Sequence, residues 1–211
     1  MSVSLRCYST SLGCPKNRVD TERLLGSLGV ALVPVESPDE AELVFINTCA
    51  FIQPATEESV RTIAQAIADI EELPKRPLLA VAGCLVGRYH AEDLAPELPE
   101  VDLWLDNSDL EAWPAMLARK LGLPEPTVPG RILSTGPSYA WLKISDGCRH
   151  ACSFCAIPNI RGGHRSHCKD MIVREARALL DQGVKELNLV AQDLTAVSYT
   201  HLRAHETELH L

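Results

Sequence analysis

The sequence predicts an α/β fold, and three observations carry that expectation. Short apolar runs at residues 5–9, 43–47 and 78–82 alternate with stretches of helical period, the pattern of βαβ units around a parallel sheet. Residues 122–138 hold four prolines and three glycines, a linker that divides the chain. Beyond the linker a new strand–helix–strand begins at residue 140. The expected architecture is a Rossmann-like parallel-sheet domain over residues 1–121, the linker 122–138, and the opening of a second α/β unit over 139–196.

The elements follow in order. Residues 5–9 read as a strand, and 17–28 as a helix whose apolar positions are Val19, Leu24, Leu25 and Leu28. Residues 43–47 (Leu-Val-Phe-Ile-Asn) form a buried strand with no polar alternation, as parallel sheets require. Pro54 suits a first helical turn, and that helix is expected to run to about Leu73. Residues 78–82 are a third strand and 101–105 a fourth. Ser108 is the expected N-cap of a helix ending at Leu121. In the second unit, strand 140–144 precedes a cysteine loop, helix 170–182 and strand 186–190, with Gly183 ending the helix.

Composition narrows the class. With 46% hydrophobic residues the chain supports packed cores, and no apolar run approaches the ~18 residues of a membrane span. The N-terminus lacks the apolar stretch of a signal peptide, so the eight cysteines are expected to lie in a reducing compartment, the cytoplasm, as metal ligands or reactive groups. Net charge is −8, and residues 1–137 hold 11 Lys and Arg against 20 Asp and Glu. Such an acidic half repels phosphates and suits a basic partner, and it reads equally as a provision for simple solubility.

Two cysteine triplets stand out. Cys148, Cys152 and Cys155 have the spacing C-x3-C-x2-C. Three thiolates hold three irons of a [4Fe–4S] cluster and leave the fourth open, whereas structural clusters and closed zinc sites use four ligands. The rival is zinc, with a fourth ligand from His150, His164, His167 or Cys168. Phe154 is placed to stack on an adenine or to pack under the loop. The basic run Arg161, His164, Arg165, His167 and Lys169 reads equally as a clamp for a carboxylate or phosphate and as a solvated loop. The second triplet is Cys14, Cys49 and Cys84, each following the carboxyl end of an expected strand. Ligands bind at that edge of open α/β sheets, so topology brings the three together. Gly13 and Gly83 allow close backbone turns there. Cys7 and Cys168 have no partner by spacing.

Several motifs carry a resemblance across residues 5 to about 196. These are Gly13-Cys14-Pro15-Lys16-Asn17, Asn47-Thr48-Cys49-Ala50-Phe51-Ile52, Gly83-Cys84-Leu85, and Gly147-Cys148 through Cys155-Ala156-Ile157-Pro158 to Arg161-Gly162 and Arg165-Ser166. The chain resembles the radical S-adenosylmethionine methylthiotransferases, and within them the branch that modifies an aspartate of a small-subunit ribosomal protein. The resemblance implies that residues 139–196 begin a radical S-adenosylmethionine (β/α) barrel. It implies two [4Fe–4S] clusters, one on Cys148, Cys152 and Cys155 that binds S-adenosylmethionine, the other on Cys14, Cys49 and Cys84. It also implies an electron-donor protein and a ribosomal-protein substrate, with transfer RNA the substrate of a sister branch. A non-catalytic metal-binding module is the alternative of a different class. His167 departs from the arginine usual in the family. Residues 197–211 have no convincing period and resemble translated adapter sequence. They are expected to be a non-native tail on a truncated barrel, which would leave the fragment inactive.

Overall fold

The computed structural model describes residues 4–196; the expected tail lies outside the described residues. The chain divides into two compact units, one up to Ile132 and one from Leu133.

In the first unit, β1 (Ser4–Ser11) leads into α1 (Pro15–Ser27), whose first position is the proline that a helix start tolerates. Next come β2 (Ala31–Pro34), β3 (Leu43–Thr48), α2 (Gln53–Ile70) and β4 (Leu78–Gly83). After β4 follow two short helices, α3 (Cys84–Tyr89) and α4 (Ala91–Leu94), then β5 (Leu103–Asp106) and α5 (Trp113–Leu121). The five strands form one sheet in the order β2-β1-β3-β4-β5, with every pairing parallel. All six residues of the central β3 are buried, since helices cover both faces of a doubly wound sheet. One face packs Leu5, Leu24, Leu25, Phe45, Leu105, Trp113 and Leu117 into a core.

Four details differ from the sequence expectation. β2 is an additional strand, a four-residue edge strand ending at Pro34, where a missing N–H is harmless. α2 stops at Ile70 because a turn closes from the Leu73 N–H to the Ile70 carbonyl just ahead of Pro74. Ser108 is not an N-cap. The Asp106 side chain accepts the Ser108 N–H at 2.7 Å over a 3-10 turn, and α5 begins at Trp113. Part of the proline- and glycine-rich stretch is packed rather than free. Arg131 Nη2 lies 2.7 Å from Glu22 Oε2, both buried, and Gly26 and Gly130 allow the two backbones to touch.

In the second unit, β6 (Tyr139–Lys143) pairs parallel with β9 (Glu186–Val190) across α7 (Lys169–Asp181), around a core of Ala140, Leu142, Ile144, Leu179 and Val184. Gly183, at φ +92°, ends α7 as expected. Between β6 and α7 lie β7 (Ser145–Asp146), α6 (Ile157–Arg161) and β8 (Arg165–Ser166), with β7 and β8 antiparallel. Among the described residues no helix is long and apolar enough to cross a membrane.

Candidate metal centres

The order β2-β1-β3-β4-β5 reverses its winding between β1 and β3, and the carboxyl edge at such a switch point is where open α/β sheets bind ligands. Cys14 and Cys49 follow those two strands and Cys84 follows β4. Each is held by its own local structure. The Asn17 and Arg18 N–H groups donate to the Cys14 carbonyl as α1 starts. Ser59 Oγ accepts the Cys49 N–H at 3.0 Å and donates to the Cys49 carbonyl at 2.7 Å. Thr48 Oγ1 donates to the Ala82 carbonyl at 2.6 Å and accepts the Leu85 N–H at 3.2 Å, fixing the turn that carries Cys84.

The thiols come together. A hydrogen bond with Cys84, then burial, then the charge interaction with Cys84 and Cys14, push the Cys49 thiol up. The Cys49 thiol therefore resists ionisation as a free group, and the positive charge of a bound metal would offset its thiolate. The glycines make the approach possible. Gly13, at φ +81°, lies so close that a Cβ there would stand 2.5 Å from Cys49 Cβ and 2.6 Å from its sulfur. Gly83, at φ +100°, faces the Thr48 backbone and the Asn47 side chain.

Two buried asparagines, Asn17 and Asn107, contact Cys84 and a third, Asn47, braces Asn17; sequence reasoning passed over their role. Asn17 Nδ2 donates to the Leu12 and Thr48 carbonyls, which turns its own carbonyl to the Cys84 sulfur at 3.8 Å. Asn107 Nδ2 donates to the same sulfur at 3.8 Å. Asn47 Nδ2 bonds Asn17 O and Thr21 Oγ1. The available signal was positional: Asn107 follows the carboxyl end of β5, as each cysteine follows a strand.

The other triplet lies on the excursion between β7 and α6. Cys155 N–H donates to the Cys152 carbonyl at 3.0 Å, and Cys148 N–H donates to the Gly162 carbonyl at 3.2 Å, closing the loop at its base. Gly147, at φ +65°, packs there on the Gly162 and Gly163 backbone, where no Cβ fits. Beneath the loop Asp146 gathers a buried ion network that sequence reasoning also passed over. Lys143 Nζ lies 2.7 Å from Oδ2, Arg161 Nη1 3.0 Å from Oδ1, and His167 Nε2 3.8 Å from Oδ2. Lys143 is only 1% exposed. Burial alone would raise the Asp146 pKa; the nearby His167 ring and the charges of Lys143 and Arg161 outweigh it and hold the carboxyl well below the usual range. A depressed carboxylate contributes stability in full above its unfolded pKa of ~3.9 and loses it as pH falls towards the folded value. Unit two is therefore expected to loosen on acidification below about pH 4, read as lost hydrogen-exchange protection in β6 and α7.

The remaining candidates are dispersed. Arg161 clamps a carboxylate, but that carboxylate is the chain's own Asp146. Arg165 and Lys169 are exposed. His150 Nε2 lies 2.8 Å from Asp193 Oδ2, and His164 Nε2 3.0 Å from Ser166 Oγ. Cys168 is exposed where α7 starts. Cys7 is core, its thiol pushed up to about 12 by burial. Phe154 is 89% exposed and does not pack under the loop. Among the described residues no three His, Cys, Asp or Glu side chains form a single-ion site. Three thiols are a donor set that a four-iron cluster takes, each on a different iron.

Comparison with known proteins places the chain. A model described as Uncharacterized protein family UPF0004 matches residues 6–106. Over 189 residues the chain is 71% identical to the ribosomal protein uS12 methylthiotransferase RimO of Nitratidesulfovibrio vulgaris (strain DP4), covering 90% of this chain and 44% of that protein. Nearly all of the chain is similar to RimO. The RimO of Lawsonia intracellularis (strain PHE/MN1-00) is 59% identical over 196 residues, which are 92% of this chain and 44% of that one. That of Aquifex aeolicus (strain VF5) is 50% identical over 188 residues, 88% and 40% of the two chains. The chain thus spans less than half the length of these relatives. Among solved structures, the radical S-adenosylmethionine methyltransferase TsrM from Kitasatospora setae, with tryptophan substrate and a SAM analog bound, aligns at TM-score 0.61. It is 12% identical, and the alignment covers 98% of this chain and 50% of that one, a likeness of fold alone.

Proposed function

We propose that this chain is the cluster-bearing part of a radical S-adenosylmethionine methylthiotransferase that acts in the cytoplasm on an aspartate of ribosomal protein uS12. The observation that carries the reading is the meeting of Cys14, Cys49 and Cys84, from three separate strand ends, at one edge of the sheet. Cys148, Cys152 and Cys155 would hold a [4Fe–4S] cluster and its S-adenosylmethionine, and the first triplet would hold the sulfur-presenting cluster. When bound, these groups supply one-electron cleavage of the sulfonium and the sulfur to be transferred, chemistry that an inert aspartate β-carbon requires.

The chain's own residues bind and orient. Ser59, Thr48 and the α1 N-terminus hold the three thiols of the first site in place, and burial of Cys49 and Cys84 keeps water from that site. The Asp146 network anchors both ends of the loop that carries the second. Exposed Phe154, beside Cys155, offers an apolar face to an adenine. The reading also calls for an electron-donor protein.

Two experiments test it. Mass spectrometry of uS12 from cells with and without the intact gene should show the methylthio adduct only with it; an unchanged spectrum overturns the substrate. Gly13→Ala should cost about four irons per anaerobically reconstituted chain, because a single cluster is then excluded. Full iron content in that variant would refute the crowding of the first site.

A further inference from the structure

Asn107 presents a puzzle that the proposed cluster resolves. Its side chain is 1% exposed, yet its Oδ1 is buried with no hydrogen-bond partner. An orphaned buried carbonyl is destabilising, so an apolar residue of the same shape would serve packing better. The polar contact recorded for the amide is from Nδ2 to Cys84 Sγ, at 3.8 Å. To a neutral thiol that is a weak bond. To a metal-bound thiolate it is a charge-assisted one.

The neighbouring Asn17 sharpens the point. Its Nδ2 is committed to two backbone carbonyls, so its Oδ1 faces Cys84 and accepts from the thiol S–H. Once the sulfur is a thiolate, that carbonyl becomes an unfavourable neighbour and cannot rotate away without breaking the bonds to the Leu12 and Thr48 carbonyls. Asn107 stands against the same sulfur with a donor, and a thiolate enforces that amide orientation over the reverse.

We propose that Asn107 is a positioning residue for the N-terminal site, whose amide donates to the Cys84 sulfur and raises the reduction potential of the cluster Cys84 helps hold. The inference rests on the cluster reading above. Hydrogen bonds to cluster sulfurs stabilise the more negative, reduced state.

The test uses the 211-residue chain, reconstituted with iron and sulfide, with Cys148, Cys152 and Cys155 replaced by alanine so that iron enters the first site alone. Redox titration followed by electron paramagnetic resonance gives the midpoint potential of this parent and of Asn107→Leu and Asn107→Ser. The leucine variant is expected to keep its iron, melt no earlier than the parent as apoprotein, and titrate at lower potential. The serine variant, which keeps a shorter donor, should fall between, and it decides the matter if leucine prevents folding. Iron retained with an unchanged midpoint in the folded variants overturns the role of Asn107 alone. A parent that takes up no iron overturns the cluster reading and this inference with it.

Discussion

Replacing Cys148, Cys152 and Cys155 together with alanine should leave about four irons and four sulfides on a chain that otherwise carries about eight of each. Replacing Cys14, Cys49 and Cys84 should leave the complementary four. In the full-length protein, reductive cleavage of S-adenosylmethionine to 5′-deoxyadenosine should disappear with the loop cysteines and persist without the sheet-edge cysteines. The asymmetry follows from position. The loop cysteines are half-buried or exposed and open to a cofactor, whereas Cys49 and Cys84 are buried and Cys14 partly so. A chain that binds one zinc and no iron would defeat the assignment of both triplets.

Asp146→Ala is expected to destabilise the second unit by ~3–5 kcal/mol, because it leaves Lys143 and Arg161 buried without the carboxylate that neutralises them. Hydrogen exchange in β6 and α7 reads the loss locally, apart from the first unit. Iron at the loop cysteines should fall with it, since Asp146 and Arg161 close the loop from either side. Removing the three charges together, as Lys143→Met, Asp146→Leu and Arg161→Met, should restore most of the stability. The Arg76–Asp102 pair, at 2.8 Å but about one-third exposed, is the control: Arg76→Ala should cost less than about 1 kcal/mol. An Asp146 effect no larger than that control would show the network to be solvated and incidental.

Legibility varied with the range of the interaction concerned. β3 and β4 were readable because a strand buried on both faces leaves a continuous apolar run. β2 was not, since four largely exposed residues at an edge carry neither alternation nor a run. The turn at Asp106 misled because Ser108 has cap chemistry, while the residue that caps is two positions earlier. At the sites, the six cysteines were visible from type, spacing and strand order. The basic run was not interpretable: whether Arg161 meets solvent or a buried carboxylate depends on residues up to 18 positions away in sequence, from Lys143 at one end to Arg161 at the other.

By itself the sequence determined the α/β class, the parallel strand succession and the placing of chemically reactive thiols at strand ends, because periodicity and residue type act over a few positions. Only the tertiary structure decided which polar side chains face those thiols. Asn17 and Asn107 come from α1 and the turn after β5; the Leu12 and Thr48 carbonyls orient the first amide, and the second meets the Cys84 sulfur itself. Burial then turns such contacts into strong ones, since an amide or a charge removed from water must find its partner within the protein.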